Sequence, residues 1–338
     1  MKEYAVGLVG VGAVGAEMVS VLRDRRFPAK SIQVFASRER DEVIAGEMFH
    51  VKEATPEAFK GLDIVLFAGG TSASLAFKDA VVAAGAVMID NSRAFRMDPA
   101  VPLVVPQVNP EDLEWHKGVI ANPNCTTAIM LEAVAPLHRA KRLRRLVAAT
   151  YQAASGAGAK GMQELEDQTR AIAAGRPPEV SAFKYQLAHN LIPQIDAFDE
   201  TNWYTLEELK MRNEARKMLH APDLLLSCTC VRVPIPRAHS ESLNLEFEQE
   251  ITPDEARAIL SRSVGVKVVD DPLAGVYPMP LDATAQYDVL AGRIRQDISR
   301  TDRRGLEMFV SGDQLLRGAA LNAVEIAEEL VKRDLVRR

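Results

Sequence analysis

The sequence predicts an α/β protein in two parts, a doubly wound parallel-sheet domain followed by an α+β domain with a mainly antiparallel sheet. Three observations predict it. Up to Cys125, short apolar β-rich runs alternate with stretches of helical periodicity; beyond it, strands begin to alternate apolar and polar residues; and the C-terminal stretch is helical again. In order, the first part offers "YAVGLV", a helix over 13–25, "SIQVFA", "LDIVLFA", a helix in "SASLAFKDAVVAAG", then "AVMID", "LVVPQV" and "GVIANP". Strands apolar along their whole length suit a parallel sheet covered on both faces.

After Cys125 come a helix to about residue 139, a strand "RLVAATYQA", a helix over 159–174 and a Pro-rich loop "GRPPEV". "LLLSCTCVRVP", "IPRAHS" and "ESLNLEFEQ" read as an antiparallel hairpin, the second strand alternating Leu243, Leu245 and Phe247 with Asn244, Glu246 and Glu248. "DQLLRGAALNAVEIAEELVKRDLV" has apolar positions three and four apart, the mark of a long amphipathic helix. That helix is expected to return to the first domain, which then comprises 1–125 plus 313–338 and leaves 126–312 to the second.

A chain of 338 residues with 47% hydrophobic content can fill two cores. Its formal net charge of -5 argues against a nucleic-acid or anionic-membrane partner, either of which would need a basic excess. "KRLRR" and the terminal "VRR" are short and read as solvated faces. "MKEYAVGLVG" lacks the pattern of a secretory leader, and no long apolar run follows, so a cytoplasmic location is expected. The three cysteines are too few for a disulfide framework; Cys228 and Cys230 share one strand face as core thiols, and with the histidines scattered no metal is expected.

"VGLVGVGAVGAEM" sets Gly10, Gly12 and Gly15 as GxGxxG between a strand and a helix, with Val11, Ala13 and Val14 between and beside them. Such a turn lets the backbone approach a pyrophosphate whose charge rests on the helix N-terminus, so the first domain reads as a Rossmann-type dinucleotide-binding domain. Where an NAD site would carry an acidic residue after the second strand, this chain has Ser37 and Arg38, with Arg40 close by. A 2′-phosphate is attracted there, and NADP is preferred over NAD.

Cys125 follows Asn122-Pro123-Asn124 and opens a helix. Unsatisfied amides and the positive helix end stabilise a thiolate at that place and can hold an oxyanion formed by its attack on a carbonyl. Its acid or base partner would be His239, placed on the turn of the expected hairpin, seven residues after Arg232. Pro234 and Pro236 interrupt the alternation between those two, which leaves their relative geometry open.

Taken in order, "NPNCTT", "TYQAASGAG", "EELKMRNEARKM", "RVPIPRAHSE", "DDP" with "VYPMP", and "GDQLLRGAALNAVEIAEEL" resemble the aspartate-β-semialdehyde dehydrogenase family across nearly the whole chain. The resemblance implies a Rossmann domain joined to an α+β catalytic and dimerisation domain, and a homodimer built on the second domain's sheet. It implies reversible, NADP-dependent, phosphorylating oxidation of L-aspartate 4-semialdehyde to L-4-aspartyl phosphate, run biosynthetically as a reduction. That step feeds lysine through diaminopimelate, and threonine, methionine and isoleucine through homoserine.

Carried over by position, the resemblance makes Cys125 the thioester-forming nucleophile and His239 the acid/base catalyst. Gln152 would position substrate, Arg232 hold its α-carboxylate and Glu207 its amino group. Arg96, Asn124 and Lys210 would bind phosphate, and Ser155, Gly156 and Gln314 would contact the cofactor. The glycine loop departs from the family's usual "GATGAVG", being one residue shorter and lacking its threonine. N-acetylglutamyl-phosphate reductases share the cysteine and fold logic, but Glu207 with Lys210 and Arg232 with His239 favour the aspartyl substrate. A non-catalytic paralogue is the other alternative; such a chain should have lost Cys125 or His239.

Overall fold

A computed structural model describes residues 2–336 and divides the chain into two compact units, Met1–Asn124 with Ala319–Arg338, and Cys125–Gly318. The terminal Arg337 and Arg338 of the "VRR" cluster lie outside the described residues.

In unit 1, β1 (Tyr4–Val9) leads through α1 (Ala13–Asp24) to β2 (Ala29–Ala36), β3 (Arg40–Ile44) and β4 (Glu47–Glu53); β5 (Ile64–Phe67), α2 (Thr71–Ala83), β6 (Val87–Asp90) and β7 (Val119–Ala121) follow. The sheet order is β3-β4-β2-β1-β5-β6-β7, parallel except for the β3/β4 pair. β5 and β6 are buried at every position, as expected of strands covered on both faces. Strand order reverses between β1 and β5, where doubly wound sheets open a crevice for ligands.

Two readings change here. "RDEVIAGEMFHVKE" is a hairpin that the sequence reading missed, turned by Ala45 and Gly46 at φ 51 and 82. "LVVPQV" is not a strand; Leu103 makes one isolated bridge to Ala121, and the prolines on either side lack ladder donors.

Unit 2 opens with α3 (Cys125–Lys141), β8 (Leu143–Gln152), α4 (Gly158–Ala173) and α5 (Leu206–Met218). It continues through β9 (Leu225–Arg232), β10 (His239–Phe247), α6 (Pro253–Leu260), β11 (Val266–Val268), the short α7 (Pro280–Ala283), β12 (Val289–Gln296) and β13 (Gly305–Gly312). The chain then returns to unit 1 as α8 (Leu321–Lys332), which packs on α1.

The second sheet runs β11-β12-β13-β10-β8-β9. Three of its pairings are antiparallel, but β8/β9 and β11/β12 are parallel. The expected hairpin between residues 224 and 249 is therefore corrected: β8 lies between β9 and β10, and His239 is the first residue of β10 instead of a turn residue. The Pro234/Pro236 segment carries the chain across β8, which places Arg232 and His239 on different strands.

α3 covers one sheet face, touching β8, β10, β12 and β13, while α5 covers β9. Nearly every side chain of α3 from Thr126 to Leu137 is buried, so the helix whose first residue is Cys125 is anchored along its length. The opposite face presents Val147, Ala149 and the Tyr151–Phe309 ring pair, half-buried or exposed.

The unit boundaries also shift from those expected. Cys125 belongs to unit 2, and residues 313–318 stay with it too: Asp313 and Gln314 are bonded to the His239 turn, and a Cβ on Gly318 would stand 2.7 Å from that of Cys125.

Candidate active site

Because α3 lies over β10, the start of the helix and the start of the strand bring Cys125 and His239 together. The sulfur lies 3.6 Å from His239 Nε2. The imidazole is completely buried, and its Nδ1 accepts a hydrogen bond from the Ala153 backbone N–H at 3.0 Å. Burial, and then the positive charge of Arg232, hold its pKa well below the ordinary histidine value.

The turn that delivers His239 is braced. Ala238 sits at φ 71, a left-handed conformation that costs an L-residue about 1–2 kcal/mol. Its N–H donates to Gln314 Oε1, and Arg237 is paired with the buried Asp313 at 2.7 Å. Asp313 also accepts from the N–H groups of Ala285 and Leu315. Gln314 in turn donates to Ser155 Oγ, so both side chains, expected at the cofactor, are buried against each other.

Beside this pair lies the polar cluster assigned to substrate. Gln152 ends β8 and Arg232 ends β9, and the two are register partners. Gln152 donates to Glu207 at 3.1 Å and accepts from Thr150 at 2.9 Å. Glu207 stands in the first turn of α5, whose start is fixed by a capping box between Thr205 and Glu208. Lys210, one turn on, bonds Glu207 at 3.1 Å and Asp196 at 2.8 Å. Burial works against its charge, but the Glu207 and Asp196 carboxylates outweigh it and hold its pKa above the ordinary lysine value.

Arg232 donates to Ala153 O at 2.6 Å and lies over the Phe183 ring; burial lowers its pKa. A Cβ on Gly156 would meet the guanidinium at 2.6 Å, so this glycine allows arginine and histidine to share the corner. A cavity of about 230 Å³ opens here, lined by Arg232, Phe183, Ile192, Gln194 and Asp196 among others. A larger groove beside α4 has none of the candidate residues in its wall.

In unit 1 the glycine turn is enforced by close backbone approach. Gly10 has φ +102 with Gly69 against it, and a Cβ on Gly15 would fall 2.1 Å from Gly10 O. Gly12 faces open space, and α1 begins with neither a side-chain cap nor an acid in its first turn. That combination fits a pyrophosphate, since free amides and uncompensated dipole point at one place. Val11, Ala13 and Val14 are half-buried around it.

Past β2, Ser37 and Arg38 are exposed, whereas Arg40 is paired with Glu42. Glu39 and Asp41 are both drawn onto His50, which weakens their competition for Arg38. Arg96 is buried, donating to the carbonyls of Asn122 and Asn91. Asn124 is buried at the end of the unit, beyond a side-chain network of Asn91, Asn122 and Asn322 that holds the Asn-Pro-Asn turn.

Sequence reading missed Asp313, Arg237, Asp196, Phe183, Asn322 and the Ala153 amide. Only Asp313 left a signal, an acid directly ahead of a helical stretch, and its partners are far along the chain.

Two family models cover most of the chain: "Semialdehyde dehydrogenase, NAD binding domain" over residues 5–116 and "Semialdehyde dehydrogenase, dimerisation domain" over residues 134–317. The aspartate-semialdehyde dehydrogenase of Synechocystis is 47% identical over 97% of this chain and 97% of its own length. That of Bacillus subtilis is 44% identical over 98% of each. A crystal structure of aspartate semialdehyde dehydrogenase II from Vibrio cholerae, complexed with ASA, superposes with a TM-score of 0.93 at 36% identity, covering 98% of this chain and 99% of that one.

Proposed function

Because the chain belongs to the aspartate-semialdehyde dehydrogenase family, an NAD(P)-binding oxidoreductase family of amino-acid biosynthesis, we propose that it catalyses the reversible, NADP-dependent, phosphorylating oxidation of L-aspartate 4-semialdehyde to L-4-aspartyl phosphate through a thioester on Cys125. The observation that carries this is the 3.6 Å approach of the Cys125 sulfur to His239 Nε2, with Arg232 and Glu207 joined through Gln152 beside it.

In the oxidative direction the thiolate attacks the aldehyde carbon, and His239 faces the oxygen on which charge develops. Arg232 holds the α-carboxylate and Glu207 the ammonium group, which fixes the carbon chain from its far end. Phosphate, the second nucleophile, is the ligand that the family resemblance implies for Lys210 in unit 2 and for Arg96 and Asn124 in unit 1. A bound nicotinamide supplies the hydride acceptor. Gly10, Gly12, Gly15 and the first amides of α1 would hold its pyrophosphate, and exposed Arg38 the 2′-phosphate that selects NADP. The open face of the second sheet, with Tyr151 and Phe309, is the surface on which we place a homodimer. The product would serve lysine synthesis through diaminopimelate, and threonine, methionine and isoleucine synthesis through homoserine.

The test is an assay of purified protein with phosphate, either nicotinamide cofactor, and either aspartate semialdehyde or N-acetylglutamate semialdehyde. Turnover of the first aldehyde with NADP is expected, together with an acyl adduct on Cys125 by mass spectrometry when phosphate is withheld. Preference for the acetylated five-carbon aldehyde, or full activity in Cys125→Ser, would overturn it.

A further inference from the structure

We propose that Phe183 is a positioning residue of the substrate site: its ring backs the Arg232 guanidinium and fixes the plane in which that cation meets the substrate α-carboxylate. The inference deepens the reading above and rests on it for the identity of the anion, whereas the fixed guanidinium is a property of the protein alone.

Arg232 is a buried cation, 8% exposed, with most of its donors unused. One of its terminal nitrogens donates to Ala153 O at 2.6 Å; among the described residues no carboxylate is paired with it and no other acceptor takes its remaining N–H groups. A carboxylate accepts two parallel N–H groups from such a fork only when the fork lies in its own plane. The group that sets that plane is the Phe183 ring, whose centroid lies 6.0 Å from the guanidinium carbon. An aromatic face holds a cation most firmly where water is withdrawn from it. Phe183 and Arg232 also share the wall of the 230 Å³ cavity.

The ring is itself held. Two side chains of α4, four residues apart and both buried, carry the loop on which it stands. Glu164 accepts from the Ser181 N–H at 2.9 Å, from its hydroxyl at 2.8 Å and from the Ala182 N–H. Gln168 accepts from the N–H groups of Leu187 and Ala188 at 2.8 and 2.9 Å and donates to Glu179 O at 3.0 Å. Between these clamps Phe183 packs against the cluster of Ala154, Leu165, Leu187, Ala188 and Ile192. A Cβ on Gly161 would stand 3.1 Å from the ring, so the glycine leaves the ring its place against the helix. Phe183 touches the cation and acts through it. Because the α-carboxylate is remote from the reacting aldehyde carbon, loosening Arg232 weakens bound substrate and transition state alike, which raises KM and spares kcat.

Three measurements test this. Phe183→Leu, which keeps an apolar side chain but no aromatic face, should raise KM for aspartate semialdehyde about tenfold, with kcat and KM for phosphate within about twofold of wild type. An unchanged semialdehyde KM, or a loss spread equally over kcat and the phosphate KM, would overturn the proposal. Replacing Phe183 with 3,5-difluorophenylalanine keeps the shape and draws charge from the ring face; an increase in semialdehyde KM of about two- to threefold is expected. The wild-type KM in that protein would show that the ring only fills space, and this arm stands even where the leucine variant does not fold. In protein labelled with 15N-arginine, the order parameter of the Arg232 Nε–H, assigned through Arg232→Lys, should fall from a rigid value of about 0.8 to below about 0.6 in Phe183→Leu. An unchanged order parameter overturns the positioning role whether or not the protein turns over aspartate semialdehyde, whereas failure of wild-type turnover alone defeats the reading above.

Discussion

The two units hold their functional groups in different ways. In unit 1 the pyrophosphate would be held by backbone amides at the start of α1, in a turn shaped by Gly10 and Gly15, whose Cβ positions are occupied by neighbouring main chain. In unit 2 they are side chains from α3, α5, β8, β9 and β10, each oriented by another group: His239 by Ala153, Ala238 by Gln314, Arg237 by Asp313, Gln152 by Thr150 and Glu207. A backbone site is lost by adding atoms and a side-chain site by removing them. Substitutions in the glycine turn of unit 1 should therefore act on cofactor affinity, and those among the braced side chains of unit 2 on turnover and folding together.

The sharpest division comes from Cys125→Ser. It should lower kcat by more than about ten-thousandfold, in line with removal of a covalent nucleophile, while NADPH affinity measured by fluorescence titration stays within about twofold of wild type. A large loss of cofactor binding in this variant would join what the comparison separates.

Asp313→Ala comes next. The carboxylate is fully buried, pairs with Arg237 and accepts from three backbone N–H groups, so its loss removes an ion pair and leaves those donors without their acceptor. A stability loss of about 3–4 kcal/mol in urea denaturation is expected. A further fall in kcat at a temperature where the variant is folded would follow from release of the Ala238–His239 turn. Wild-type kcat in folded Asp313→Ala would show that the brace does not position the histidine.

The same contrast explains what could be read in the sequence. Gly10, Gly12 and Gly15 were legible because a backbone site is local: strand, turn and helix follow within one short stretch. Cys125 was legible for the same reason, at a junction of turn and helix. The geometry around His239 was not. The hairpin reading assumed that neighbours in sequence pair in space, whereas β8, nearly ninety residues earlier at its closest approach, occupies the place between. Ala153 lies 86 residues from His239 and Gln314 lies 76 from Ala238, and no periodicity encodes such meetings. The β3/β4 hairpin was legible in principle, through Ala-Gly between alternating runs.

Gly15→Ala probes the other side of the comparison. The added methyl would stand 2.1 Å from Gly10 O, a backbone atom that gives way only if the turn itself moves. The expected cost is about 2 kcal/mol, divided between folding and an NADPH Kd weakened roughly tenfold, with little change in kcat at saturating cofactor. Unchanged affinity together with reduced kcat would reverse the roles assigned to the two units.

The smallest effect concerns a group that the chemistry does not use. Glu241 is two residues beyond His239 on the same face of β10, wholly buried, with neither carboxylate oxygen hydrogen-bonded among the described residues. Burial, reinforced by Cys228, raises its pKa well above the ordinary glutamate value, while burial and Arg232 lower that of His239. The two groups therefore oppose each other with pH. The raised pKa favours the protonated carboxyl in the fold, so its contribution is full below the unfolded glutamate pKa of about 4.3 and is lost as pH rises through the folded value. His239 contributes above the unfolded histidine pKa of about 6.5, and that contribution is lost as pH falls. Glu241→Met, which replaces the carboxyl with an apolar group of similar size, should then raise stability by about 1–2 kcal/mol at pH 8, and by progressively less toward pH 4. Chemical denaturation of both proteins across that range measures the difference, and a variant less stable than wild type at pH 8 would mean that the carboxyl has a partner worth more than its burial costs.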